Sequence, residues 1–270
     1  MTELNRTTLF AAIRNGVFKG KLKQTQVDGI EAILAAWDKA GGKDMRHLAY
    51  ILATAYHETG KTMQPVRECY GKTDAESRKK LAGKAYAKSD AVTGHAYYGR
   101  GFVQLTWATN YKTMGRVLSL PLYEKPDLAL NITVAAEILV VGMMQGLFTG
   151  KRLVDYFDGV EDDAVRARRI VNASDKAALI ASYHKDFLAA LKDAETSTPQ
   201  PANVNPKDAV PDADVNGKVI TAITGSGLAG SAALFAALDS WQAFAGFALV
   251  IVIFTIGAWA YYTGRIKRRV

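Results

Sequence analysis

The chain has very little cysteine, and several sequence signals are missing altogether. Cys69 is the single cysteine among 270 residues, so an intramolecular disulfide framework is excluded. The first twenty residues lack the apolar run of a secretory signal peptide, and we expect no Sec signal there. No P-loop or dinucleotide-binding glycine fingerprint occurs. An H-E-x-x-H zinc motif would begin at His57, but position 61 is Lys61, so the second histidine ligand is missing.

An excess of negative charge is also absent, and the positive excess is uneven. Residues 1–194 contain 28 Lys and Arg against 21 Asp and Glu, a net charge of +7. Residues 195–270 contain 6 against 5, a net charge of +1. A basic surface attracts polyanions, which include nucleic acid, anionic lipid and the acidic polymers of a bacterial wall. Charge alone does not choose among these partners.

Proline is scarce, and its distribution indicates a linker. Of the 7 prolines, 4 lie within residues 195–217 among Thr, Ser, Asn and Asp, a composition typical of an extended linker. Residues 243–262 then carry no charge over about the twenty residues that a bilayer crossing needs. Interfacial aromatic residues and a basic tail over residues 263–270 favour a transmembrane helix over the alternative, a buried core helix. Residues 219–238 are uncharged and rich in small residues, which suits a second crossing packed against the first.

Long alternating runs are absent as well, so no large sheet is expected, and residues 1–194 are predicted to be mainly α-helical. The predicted helices cover residues 27–37 before Gly41-Gly42, residues 48–56 before Gly60, residues 133–147 and residues 162–192. Turn residues interrupt residues 61–100, where a short hairpin is predicted.

Two carboxylates carry the chemistry that the sequence suggests. Glycosidic bond cleavage by inversion needs a general acid and a second carboxylate that activates water. Glu58, in His57-Glu58-Thr59-Gly60, follows an apolar run, which suits an acid that must keep its proton. Glu68 lies ten residues further on, so a bend must bring the two together. Arg67 beside it would hold Glu68 ionised, as a base requires.

A glycine-flanked strip between Tyr98 and Tyr111 adds the polar groups of a sugar-binding groove. A simpler explanation exists for each part. Both glutamates could be solvated or structurally paired, and the apolar residues of the strip could be core while its glycines form turns. Those candidate core and turn residues are Phe102, Val103, Leu105, Trp107, Gly99 and Gly101. This explanation leaves Arg100, Gln104, Thr106 and Asn110 unaccounted for.

A resemblance to glycoside hydrolase family 19 rests on these segments together. They are His57-Glu58-Thr59-Gly60, Glu68, Tyr98-Gly99-Arg100-Gly101-x-x-Gln104-Leu105-Thr106, Asn110-Tyr111 and the later Arg169-Ile170-Val171-Asn172. The short spacing of the two carboxylates is more similar to the phage endolysin branch than to plant chitinases. The chain departs from the family at Ala173-Ser174-Asp175, where glycines are usual, and at Cys69-Tyr70, where an Asn-rich continuation is common. The resemblance covers about residues 25–190.

What the resemblance implies is a lysozyme-like helical fold and an inverting mechanism without cofactor or metal. It implies Glu58 as the general acid, Glu68 as the general base, and Thr106 as the residue that helps Glu68 hold the attacking water. The substrate-binding residues would be His57, Tyr98, Arg100, Gln104, Asn110 and Asn172.

We therefore expect a mainly α, lysozyme-like hydrolase domain over residues 1–194, a linker over 195–217 and a membrane anchor over 218–270. The expected function is peptidoglycan hydrolysis at β-1,4 bonds, for phage-induced host lysis or wall penetration. Chitin is the alternative substrate, and a membrane-anchored virion protein with a non-catalytic wall-binding domain is the alternative class. Expected partners are peptidoglycan, the lipid bilayer and a holin or virion membrane component, and not nucleic acid. The expected location is the host inner membrane or a virion membrane, with the basic tail cytoplasmic or interior.

Overall fold

The computed structural model of the protein describes residues 4–196. In this range the chain forms seven α-helices and two short strands. The helices are α1 (Arg6–Asn15), α2 (Gln24–Lys39), α3 (Met45–Glu58), α4 (Asp74–Lys80), α5 (Ala108–Leu118), α6 (Ile132–Gln145) and α7 (Ala177–Thr196), and the strands are β1 (Val66–Arg67) and β2 (Arg100–Gly101).

Helix α3 is the centre of the fold. Every residue from Leu48 to Tyr56 is buried, so α3 has the all-round apolar surface of a core helix. Helix α7 packs along both α3 and α1, and α2 packs against α6. Asp44 caps the start of α3, where its side chain accepts a hydrogen bond from the backbone N–H of Arg46 at 2.8 Å. The helix is thus held along its length, and its last residue, Glu58, emerges from the core.

The two strands bring distant parts of the chain together. They pair antiparallel, with Val66 opposite Gly101 and Arg67 opposite Arg100. The pairing continues one step beyond β1, because the N–H of Glu68 donates to the carbonyl of Gly99 at 2.8 Å. A glutamate that follows β1 is therefore fixed beside the glycine that precedes β2.

The mainly α fold and the helices predicted around residues 27–37, 48–56 and 133–147 are confirmed. The helix predicted over residues 162–192 is confirmed only in its second half by α7, because a 3-10 turn over Arg166–Ile170 is followed by a break before that helix. In the break, the side chain of Asn172 accepts a hydrogen bond from the next backbone N–H, which competes with helix formation. The predicted short hairpin is instead a strand pair closed by a long connection.

Among residues 4–196, no helix is both long and apolar enough to cross a membrane. The predicted anchor, and all of the predicted linker beyond Thr196, lie outside the described residues.

Candidate active site

Glu58 ends helix α3 with one of its two oxygens already bound. Arg168, whose side chain is 4% exposed, donates from Nη1 to Oε1 of Glu58 at 2.6 Å. Arg168 is itself held through Nε by the carbonyl of Asp175 at 3.0 Å. Oε2 of Glu58 has no hydrogen-bond partner among the described residues. One oxygen is thus fixed by the protein, and the other is available to a ligand.

Glu68 differs, because both of its oxygens are held. It begins a 3-10 turn directly after β1. The Tyr86 hydroxyl donates to Oε1 and the backbone N–H of Gly99 donates to Oε2, each at 2.8 Å. Burial and the bond to Glu68 raise the pKa of Tyr86 to about 12, so this hydroxyl keeps its proton at neutral pH. Glu68 is therefore an acceptor with a fixed orientation, as a carboxylate that positions water requires.

The prediction that Arg67 holds Glu68 ionised was wrong. Arg67 instead donates from Nη2 to Oδ2 of Asp127 at 2.5 Å. Adjacent residues of an extended segment point to opposite sides, which separates the guanidinium of Arg67 from the carboxylate of Glu68. The hydroxyl of Tyr86 and the backbone N–H of Gly99, rather than Arg67, hold the carboxylate of Glu68.

Tyr70 links the segment of Glu68 to the end of α3. Its hydroxyl lies 2.6 Å from the point that a Cβ on Gly60 would occupy. Gly60 follows Glu58 by two residues, and Tyr70 follows Glu68 by two. The two glutamates therefore lie on neighbouring segments, as the proposed bend requires.

The strip after β2 folds back as a tight loop next to Glu68. Arg100 and Leu105 exchange backbone hydrogen bonds at 3.2 and 2.9 Å, which places Gly99 and Thr106 at the same end of the loop. A Cβ at position 99 would lie 2.8 Å from Oε1 of Gln104 and 3.1 Å from Oε2 of Glu68, so a larger residue there would displace these two side chains. The side chain of Gln104 thus lies close to Glu68.

The polar side chains of the loop are largely engaged by its own backbone. Gln104 donates from Nε2 to the carbonyls of Val66 and Gly101 at 3.0 and 3.1 Å. Thr106 donates to the carbonyl of Gln104 at 2.8 Å, and Asn110 donates to the carbonyl of Thr106 at 2.8 Å. Within residues 4–196, Thr106 makes no hydrogen bond to Glu68, and its role in holding water stays a prediction. The side-chain amide oxygens of Gln104 and Asn110 accept no hydrogen bond from the described residues.

Tyr98 and Arg100 lie behind the strip rather than on its surface. Tyr98 is 0% exposed and Arg100 is 1% exposed. The guanidinium of Arg100 stacks 3.8 Å from the ring of Tyr98 and reaches Asp127 at 2.8 Å and Asp74 at 3.1 Å. These two residues support the backbone of the strip, and neither has exposed surface with which to contact a sugar directly, as their predicted substrate-binding role would require.

His57 and Asn172 lie on the Glu58 side of the site. His57 is half-buried, and burial lowers its pKa, although the neighbouring Glu58 opposes that shift. Asn172 is exposed, and its backbone N–H donates to the carbonyl of Arg168 at 2.9 Å. Asn172 is thus tied to the arginine that holds Glu58.

Sequence reasoning missed Arg168 and Tyr86, the two side chains that fix the carboxylates. Arg168 is 110 residues from Glu58 and Tyr86 is 18 residues from Glu68, and no motif spans either distance. In the described part of the chain, no group of three or more His, Cys, Asp or Glu residues is placed to hold a metal ion.

Comparison with known proteins finds a family model that is similar to part of the chain. Residues 28–144 match the family model of glycoside hydrolase family 19, described as chitinase class I. The match contains Glu58, Glu68 and the strip up to Asn110, and it ends before Arg168 and Asn172. Over this part, which is less than half of its length, the chain is similar to a chitinase-like glycoside hydrolase family.

Two endochitinases of Arabidopsis thaliana are similar to part of the chain. One is 37% identical over 93 residues, which cover 34% of this chain and 30% of the relative. The other is 36% identical over 83 residues, which cover 31% and 26%. The chain thus spans less than a third of the length of the curated relatives it matches.

Solved chitinase structures also align with the chain. Chitinase C from Streptomyces griseus gives a TM-score of 0.47 at 19% identity, over 73% of this chain and 78% of that one. A class IV family 19 chitinase from Zea mays gives a TM-score of 0.42 at 18% identity, over 71% and 92%.

Proposed function

We propose that this protein is an inverting glycoside hydrolase that cuts β-1,4 bonds between amino sugars. The observation that carries the proposal is that the protein holds two carboxylates on neighbouring segments in different ways. Glu58 is held through one oxygen only, whereas Glu68 is held through both. A proton donor needs a free oxygen that faces the leaving group, and a base needs a fixed orientation towards water.

In the proposed reaction Glu58 first takes up a proton on Oε2 from solvent and then donates it to the glycosidic oxygen as the bond from that oxygen to the anomeric carbon breaks. A water molecule attacks the anomeric carbon from the opposite face and transfers a proton to Glu68. The products are one sugar with inverted anomeric configuration and one with a free 4-hydroxyl group. Gln104 and Asn110 offer their side-chain amide oxygens to the hydroxyl or acetamido N–H groups of the substrate.

Peptidoglycan and chitin are both substrates of the right chemistry. The net charge of +7 over residues 1–194 favours an acidic wall polymer. The similarity to endochitinases supports chitin, the neutral polymer that those relatives are named for. Both contain β-1,4-linked N-acetylglucosamine, so the same pair of carboxylates serves either one.

The test is hydrolysis of purified cell walls and of chitin oligomers by the wild type, Glu58→Gln and Glu68→Gln. Each variant should lose at least about a hundredfold in rate, because each removes a proton-transfer group. Exposed Glu124→Gln is the control and should keep the wild-type rate. Rapid analysis of the product anomers tests inversion, and the preferred polymer identifies the substrate. Near-normal hydrolysis by Glu58→Gln would remove this residue from the mechanism.

We further propose that residues 218–270 anchor the enzyme to a host or virion membrane for phage-induced lysis. The uncharged stretch 243–262 and the basic tail support this role. Protease treatment of intact spheroplasts that contain the chain tests the side of the catalytic domain. Digestion of residues 1–194 would place it outside, and protection would place it inside, restrained until the membrane is breached. A non-catalytic wall-binding protein is the rival, and it predicts binding to walls without products.

A further inference from the structure

Trp107 is the exposed member of an otherwise buried apolar group. Phe102, Val103 and Leu105 are at most 5% exposed, as expected of core residues, whereas Trp107 is 49% exposed. It directly follows Thr106 at the end of the loop that holds Glu68. The core role that its sequence context allowed does not fit this exposure, and half of a large aromatic surface is left to solvent.

The backbone at Trp107 does not favour a bulky residue. Its φ is +76°, a conformation that L side chains rarely adopt. Three backbone hydrogen bonds hold it there: its N–H donates to Tyr97 at 2.8 Å, and its carbonyl accepts from Asn110 at 3.0 Å and Tyr111 at 3.1 Å. Trp107 also precedes α5 as the N-cap, but its side chain makes no capping hydrogen bond. Glycine would relieve the strain, and Asn, Asp or Ser would cap the helix, so local structure gives no reason for an indole.

The indole is one aromatic ring away from the proposed base. Trp107 and Tyr86 meet edge to face, with ring centroids 5.4 Å apart and planes at 77°. The hydroxyl of the same Tyr86 donates to Glu68. An exposed indole is therefore fixed against the tyrosine that holds Glu68. Strained residues of this kind are concentrated at ligand-binding sites.

We propose that Trp107 is a substrate-binding residue that stacks against the apolar C–H face of one N-acetylhexosamine ring of the polymer. The inference rests on the proposed function and names one of its binding contacts. A pyranose ring presents such a face while its hydroxyl and acetamido groups point outwards. Contact with the indole would cover the exposed apolar surface and hold the chain beside Glu68.

The test compares Trp107→Gly and Trp107→Phe in the full-length chain, kept in a mild detergent. Hydrolysis of an N-acetylglucosamine hexamer gives kcat and KM, calorimetry with the same hexamer gives Kd, and thermal unfolding gives Tm. We expect Trp107→Gly to raise KM and Kd about tenfold, with kcat within about threefold of the wild type. Its Tm should not fall, because glycine suits the backbone. The KM and Kd of Trp107→Phe should lie between those of the wild type and of Trp107→Gly. Val117→Ala changes an exposed residue of α5 and is the control, which should keep the wild-type values.

The outcomes separate this inference from the proposed function. A wild type that binds the hexamer without cutting it contradicts the hydrolase, and the Kd of Trp107→Gly still decides the role of Trp107. Unchanged KM and Kd in Trp107→Gly would overturn the stacking role. A lower Tm with unchanged Kd would assign Trp107 a structural role instead. A wild type that neither cuts nor binds would overturn both.

Discussion

Glu58 has its charge at the end of a helix where the helix dipole opposes it. The carboxyl end of α3 is the negative end of that dipole, so a carboxylate there needs compensation. Arg168 supplies it through a charge-assisted hydrogen bond, and the guanidinium is almost entirely buried. Each partner would be left without a counter-charge if the other were removed. The two residues should therefore behave as one energetic unit.

Replacement of Arg168 by Met should lower the free energy of unfolding by about 3 kcal/mol, because a largely buried carboxylate then loses its partner. Addition of Glu58→Gln to that variant should restore part of the loss, since a neutral amide needs no guanidinium. Urea unfolding of the wild type, both single variants and the double variant measures this coupling. Strictly additive losses would show that the pair is not coupled.

Tyr86 should act on the rate through the orientation of Glu68. Tyr86→Phe removes only the hydroxyl that holds Oε1 and should lower kcat at least about tenfold, the value of a hydrogen bond to a charged group. KM should stay within about twofold. Tyr123→Phe is the matched control, because it removes a hydroxyl that donates to another carboxylate, that of Asp90 at 2.7 Å. An unchanged kcat in Tyr86→Phe would exclude this orienting role.

At the scale of elements, β2 depends on close contact between two backbones. Gly101 has φ +90°, and a Cβ there would lie 2.8 Å from the carbonyl oxygen of Ala129. Gly83 has the same φ but nothing within 4 Å of its Cβ position. Any difference between the two positions therefore reports the contact rather than the φ angle.

Gly101→Ala should destabilise the protein by about 2 kcal/mol more than Gly83→Ala. Both substitutions place a Cβ on a left-handed backbone, but only the first forces two backbones apart. Urea unfolding of the two variants gives the difference directly. Equal losses in the free energy of unfolding would show that β2 can move away from Ala129 without a cost in stability.

The elements that could be predicted are those whose signal is local. α2, α3 and α6 follow from apolar residues at helical spacing, and Glu58 follows from its place at the end of one of them. The break before α7 was missed because a side-chain hydrogen bond of Asn172 outweighs a helical pattern. Arg67 was predicted to pair with Glu68 because the two are adjacent in sequence, but it binds Asp127, sixty residues away. Arg168 and Tyr86 reach the site through tertiary packing, which leaves no trace in sequence spacing.

For the molecule as a whole, histidine burial links folding to pH. His184 is 3% exposed, packs its ring near Tyr50 and Phe157, and places Nε2 at 3.2 Å from the carbonyl of Arg46. Burial lowers its pKa, although nearby Asp162 opposes that shift. Burial lowers the pKa of His57 as well. Both imidazoles therefore stay neutral in the folded protein at pH values where the unfolded chain takes up protons.

The free energy of unfolding should therefore fall as the pH drops below about 6.5, the ordinary pKa of histidine. Above that pH the two histidines are neutral in both the folded and the unfolded state, and the stability is fully present. Below it the unfolded chain binds protons first, and the free energy of unfolding falls by up to about 1.4 kcal/mol per pH unit for each histidine. Urea unfolding at several pH values between 7.5 and 5 measures the slope. His184→Gln should flatten it, because the amide does not titrate, and exposed His95→Gln should leave it unchanged. Since Asp and Glu side chains titrate mostly below this range, a slope unaffected by His184→Gln would assign the loss to His57 or to another group.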